Sequence, residues 1–94
     1  MATAEEQRWF AAVASLECCV LCGRFGVQVA HSNQDRGMGQ KSPPCCCAAL
    51  CPTCHHTIDN GKDLDQAERR RLMDRAIVLT HLALWKLCLL VLKR

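Results

Sequence analysis

Apolar residues thicken towards the C-terminus, where the stretch from Ala76 to Leu92 is interrupted by few strongly polar side chains, among them His81 and Lys86. Those 17 residues (76 to 92) sit at the lower edge of what crosses a bilayer, and an internal histidine and lysine argue against a span. The apolar positions also continue a helical pattern that begins earlier, at Leu72 and Met73. The expected element is therefore a long helix over 63–92, outside any membrane and buried on more than one face. Positions 72, 76, 79, 83, 87 and 90 make one stripe, and 73, 77, 84, 88 and 91 make another. Two stripes need two partners. One is the domain's own core; the other is the N-terminal helix or a second copy of the chain, which would make a homodimer through the C-terminal helix. The same arithmetic predicts that a monomer leaving Trp85, Cys88 and Leu92 exposed would pair.

Elsewhere the pattern is shorter and punctuated. Thr3-Ala4-Glu5-Glu6 reads as a capping box, so a first helix is expected over 4–16, burying Trp9, Phe10 and Val13. Val27 to His31 alternates weakly and suggests a short strand, and Cys45 to Leu50 is an apolar run that could return beside it. Between them, Ser32 to Pro44 has loop composition, with Gly37, Gly39, Pro43 and Pro44. Pro52 stands where the first turn of a helix tolerates proline, and Asn60-Gly61 is a natural stop. Asp65-Gln66-Ala67-Glu68 is a second capping box, opening the long helix. The organisation is a single domain over 1–94, with its middle segment, 18–61, holding the chemistry.

Ninety-four residues give a marginal core, for which a bound metal is the usual remedy, and the chain has nine cysteines. An odd number cannot all pair. The N-terminus carries Glu5 and Glu6 where a secretory leader needs basic residues, so the expectation is a cytoplasmic protein with reduced thiols. Cys19-x2-Cys22 and Cys51-x2-Cys54 are matched pairs, and a two-residue gap lets a tight turn aim both sulfurs at one tetrahedral Zn²⁺. Cys18 could replace Cys19, and His55 could replace one cysteine. Cys18, Cys45, Cys46, Cys47 and Cys88 read as small core or strand residues. His56 and His81 are expected at the surface or behind the site, and Arg69-Arg70-Arg71 as a solvated helix face. The net charge of +3 is mild and decides nothing about nucleic acid.

Rival motifs fail on their surroundings. Cys51-Pro-Thr-Cys54-His55 fits a c-type haem attachment sequence, but that attachment happens outside the cytoplasm. A zinc deaminase needs His-x-Glu and Pro-Cys-x2-Cys; here Ser32-Asn33 follow His31 and Leu50 precedes Cys51. One exposed Cys-x2-Cys would suit thiol redox chemistry, whereas two matched pairs suit zinc.

The skeleton is strand, strand, helix, with His31 ending the first strand and His55 on the first turn of the short helix. This arrangement resembles the HNH nuclease fold, the ββα-metal or His-Me finger unit, and more narrowly a family of very small HNH-type proteins encoded by phages and prophages. The match rests on Val29-Ala30-His31, the loop Gly37-Met38-Gly39-Gln40-Lys41-Ser42-Pro43-Pro44, Leu50-Cys51-Pro52-Thr53-Cys54-His55, Ile58-Asp59 and, weakly, Leu79-Thr80-His81. It covers roughly residues 17 to 85. It implies an α+β fold: a small zinc-stabilised ββα unit flanked by an N-terminal helix and a long C-terminal one.

The resemblance also implies an activity, metal-dependent hydrolysis of nucleic-acid phosphodiester bonds, with DNA as the first expectation. His31 would be the general base, and His55 would bind a catalytic divalent metal such as Mg²⁺, Mn²⁺ or Zn²⁺, with the two facing one another across a shallow open cleft. The family places another metal ligand just before the base, where this chain has Ala30, and its middle Asn is missing from Cys45-Cys46-Cys47-Ala48-Ala49-Leu50. Asp59, four residues after His55 on the same helix face, is the candidate replacement. Arg36 and Lys41 are the candidate phosphate contacts. The alternative is a non-catalytic zinc module that binds nucleic acid or a partner protein.

Overall fold

The computed structural model describes residues 3–31, 45–61 and 64–90. Arg36, Lys41 and the rest of the loop 32–44 lie outside the described residues, as do 62–63 and the C-terminal 91–94. The architecture is α+β: a helix α1 (Ala4–Ala14), two strands β1 (Gln28–His31) and β2 (Cys47–Leu50), then helices α2 (Pro52–Asn60) and α3 (Gln66–Lys86). The strands pair antiparallel, with Gln28 opposite Leu50 and His31 opposite Cys47.

The helix starts follow local chemistry. The Thr3 hydroxyl accepts from Glu6 N–H at 3.1 Å, and at α3 the full box forms, Asp65 accepting from Glu68 N–H while Glu68 accepts from Asp65 N–H. α2 begins on Cys51 as its cap, with Pro52 in the first turn, and ends at Gly61. Gly61 is extended there, not left-handed, and glycine is required because a Cβ would collide with the carbonyl of Thr57. Arg69, expected in a solvated face, instead donates to the carbonyls of Asp59 and Gly61 and closes the C-terminal end of α2.

Both faces of the small sheet are covered. Ala30, Ala48 and Leu50 pack with Cys19, Cys51, Ile58, Met73 and Ala76, whereas Cys47 and Ala49 pack with Val13 and Leu84. All four residues of β2 are buried. α3 touches both clusters because it passes the outer edge of β2. There the Thr80 hydroxyl accepts from Ala49 N–H at 3.2 Å and donates to Ala76 C=O at 2.7 Å, while Val20 N–H donates to Ala49 C=O at 3.1 Å. A fully buried threonine and the first cysteine knuckle thus stand where a third strand would pair.

This edge-on course revises the two-stripe expectation for α3. The inward seam takes Ala76 from one expected stripe, Met73 and Leu84 from the other and Thr80 from neither, and Val78, Leu82, Trp85 and Leu89 face outward. The helix ends at Lys86, short of the expected 92, with a turn in which Cys88 takes φ 60. α1 likewise stops at Ala14 instead of 16, and only Val13 is fully buried on it. Among the five cysteines expected in core or strand positions, Cys47 is buried and Cys46 half-buried, but Cys18, Cys45 and Cys88 are exposed. His81 bonds the Cys45 carbonyl at 2.8 Å and meets Trp9 edge-on, tying α3 to α1 and to the approach to β2. No described helix is long and apolar enough to cross a membrane.

Candidate metal centre and histidine cleft

The first knuckle is a tight backbone turn. Cys18 and Phe25 form an isolated antiparallel bridge, Cys19 N–H donates to Arg24 C=O at 2.8 Å, and Gly23 N–H donates to Cys19 C=O at 2.9 Å. Gly23 takes φ 80, a left-handed conformation that glycine adopts without a Cβ penalty. The second knuckle is the start of α2. Cys51 caps the helix, its Sγ accepting from Cys54 N–H at 3.4 Å, so both sulfurs of this pair sit at the positive end of a helix. Arg24 bridges the knuckles by donating to Thr53 Oγ1 at 3.0 Å.

These turns bring Cys19, Cys22, Cys51 and Cys54 together, with all four Sγ atoms within 4.8 Å of one another. Cys19, and not its neighbour Cys18, is the member from that position, and no histidine belongs to the group. Around a tetrahedral zinc with bonds of about 2.3 Å, neighbouring sulfurs lie about 3.8 Å apart, so this set needs to draw in by about 1 Å at most. The Cys22 and Cys51 sulfurs are already 3.6 Å apart. The donor set is compatible with a structural zinc.

The electrostatics point the same way. Burial pushes the Cys19 thiol up, but N–H groups of Cys51, Cys22 and Leu21 and the Cys22 side chain outweigh it and bring it down to about 6. The Cys54 N–H holds Cys51 below its ordinary value. Cys54 moves the other way, raised by burial and by the thiols of Cys51, Cys22 and Cys19 beside it. Without a cation the cluster favours some thiolates and resists ionising the rest; a divalent ion relieves that conflict.

The histidines lie beyond this cluster. His55 is held on both sides of its ring: Nδ1 lies 2.8 Å from Gln28 Oε1, and Nε2 lies 3.1 Å from Asp59 Oδ2. The His55–Asp59 spacing is one helical turn of α2, and Gln28 reaches it from the adjacent strand. His31 is exposed, and its ring meets Phe10 of α1 edge-on at 5.2 Å. Strand alternation accounts for this, since Gln28 and Ala30 leave one face of β1 while Val29 and His31 leave the other.

His31 nevertheless lines an open cleft of about 180 Å³ at the end of the strand, shared with Ile58, Asp59, Gln66, Arg69, Arg70 and Met73. His55 is not among the described residues lining it. Of the expected pair, His31 lines this cleft with Asp59, and His55 is joined to it through Asp59. Ala30 is 1% exposed and packs among apolar side chains, so its position offers no ligand. His56 is exposed.

Three contributors escape a reading of residue types. Gln28 precedes Ala30 by two positions, so the period of a strand would have placed it on the face turned to His55. Arg69 and Arg70 enter the cleft from the first turns of α3, and only the packing of α3 against α2 brings them there. No protein-family model, curated protein or solved structure matches this chain. The geometry of the two centres carries the functional argument.

Proposed function

We propose that this chain is a metal-dependent endonuclease of the HNH type, built on a structural zinc held by Cys19, Cys22, Cys51 and Cys54. The observation that carries the reading is the position of Asp59, whose carboxylate meets His55 at 3.1 Å while the same residue lines the cleft with His31 and two arginines. In this reading His31, exposed at the strand end, takes the proton from an attacking water. His55 Nε2 and Asp59 Oδ2 are the donors for a divalent cation, which would supply charge stabilisation at the scissile phosphate. Arg70, with Arg69 beside it, gives the cleft a positive wall for the nucleic-acid backbone. A nicking assay on supercoiled plasmid with Mg²⁺, Mn²⁺, Ni²⁺ or Zn²⁺ tests this. Cleavage by the wild type and its loss in His31→Ala are expected; no cleavage with any ion sinks it.

A second reading has its own observation. The His31 ring rests on Phe10, and the position before it is a buried alanine, as suits a zinc module that binds nucleic acid or a partner protein without cutting. Salt-dependent binding of duplex DNA without cleavage, unchanged in His31→Ala, would decide for this alternative.

A further inference from the structure

The geometry points to a positioning role for Gln28: we propose that its side-chain carbonyl sets the tautomer of His55, so that Nε2 is the nitrogen offered, with Asp59, to a divalent cation. The inference rests on the reading of His55 and Asp59 as a metal pair and names what prepares that pair. Gln28 Oε1 is an acceptor only, so its 2.8 Å approach to Nδ1 requires the ring proton to be there. A neutral ring with Nδ1–H has its lone pair on Nε2, and that atom lies 3.1 Å from a carboxylate oxygen. At that distance the two atoms share a proton when the ring is an imidazolium, and a divalent cation can take that proton's place when the ring is neutral. The pair offers one nitrogen and one carboxylate oxygen, and differs in kind from the four-thiolate cluster one residue away. A carbonyl partner on the far nitrogen is also what holds metal-binding histidines in one orientation elsewhere. The carbonyl comes from β1, so the strand that carries His31 also aims His55.

The test uses the zinc-loaded full chain. Long-range ¹H–¹⁵N spectra of the neutral His55 ring, taken without added divalent cation, should show the Nδ1–H form, the less common tautomer of free histidine. In Gln28→Leu the ring should move towards Nε2–H, and Mn²⁺ affinity, read from water-proton relaxation, should fall about tenfold. Gln28→Glu keeps the acceptor and should keep both the tautomer and the affinity. Zinc content and thermal unfolding should be the same in all three proteins. A wild-type ring in the Nε2–H form, no Mn²⁺ binding by the wild type, or a Gln28→Leu protein with unchanged tautomer and affinity would each overturn the proposal. Expected spectra and Mn²⁺ binding without cleavage would instead sink the nuclease reading alone.

Discussion

The cysteine cluster and the histidine cleft both draw on one short helix, and they are held in opposite ways. The cluster has four donors: its sulfurs are brought together by backbone turns, those of Cys19 and Cys51 accept backbone N–H groups, and a tetrahedral ion held by all four would have no position left for a substrate. The cleft is open. His31 is exposed, and the His55–Asp59 pair is partly solvated, with 28% and 37% of the two side chains accessible. Solvent screening makes such a pair worth little to stability. A closed four-ligand set suits a scaffold, whereas an incomplete set leaves room for water and substrate. The comparison teaches that α2 divides its labour: its N-terminus anchors the fold, and the face one turn further on carries the exposed chemistry.

The sharpest break of that contrast is Cys51→Ser. Binding to a structural zinc is worth on the order of 10 kcal/mol, so losing one thiolate should release the metal and unfold most of the protein, seen by elemental analysis and circular dichroism. Cys46→Ser, outside the cluster, should retain the metal and shift the melting temperature little. The opposite pattern appears at the cleft. His31→Ala and Asp59→Ala should lower cleavage by roughly 10²- to 10⁴-fold while zinc content and melting temperature stay put. Excess divalent ion should partly rescue Asp59→Ala but not His31→Ala, and equal rescue of both would mean the roles are wrongly divided.

Thr80→Val probes the scaffold without touching either centre. It keeps the shape but leaves the Ala49 N–H buried and unpaired, so a loss of about 1–3 kcal/mol in denaturant unfolding is expected. Smallest is a change with pH in the fraction of chelator-treated wild type that stays folded. Cys19 is depressed from 9.0 to about 6, so its contribution is complete above pH 9 and is lost as pH falls towards 6. Cys54 is raised and works oppositely, its contribution being complete below 9.0 and declining above it. Metal-free stability should rise between about pH 6 and 9 and turn over beyond. A flat profile would mean the thiols do not interact without metal.

Much of the scaffold was legible because its signals are local. Two capping boxes, a proline in a first turn and two Cys-x2-Cys pairs each need only a few neighbouring residues, and the helices and the cluster follow from them. The phase of α3 was not, since a helix apolar nearly all round does not say which stripe faces the core. Thr80 shows why: a polar residue inside the inward seam is explained only by the backbone N–H of Ala49 on another element. Arg69 misled for the same reason. It reads as one member of a solvated charge run, yet its partners are two carbonyls at the end of a different helix. In the cleft, residue type identified histidines and an aspartate, but strand alternation decided their neighbours. It turned His31 towards Phe10 and gave Gln28, a residue with no motif value, to His55.

The covered edge of β2 has a consequence for solubility. Cys45 to Leu50 is apolar, free of charge and without proline, the composition that promotes strand-to-strand association between chains. In the folded protein the outward N–H and C=O of Ala49 are occupied by Thr80 and by Val20, and Val20 belongs to the first cysteine knuckle. Metal loss would loosen that knuckle and free one of the two groups that blunt the edge. Chelation should therefore promote self-association through β2, with turbidity rising alongside the loss of zinc, and the metal would act as a guard against aggregation as much as a clasp for the fold.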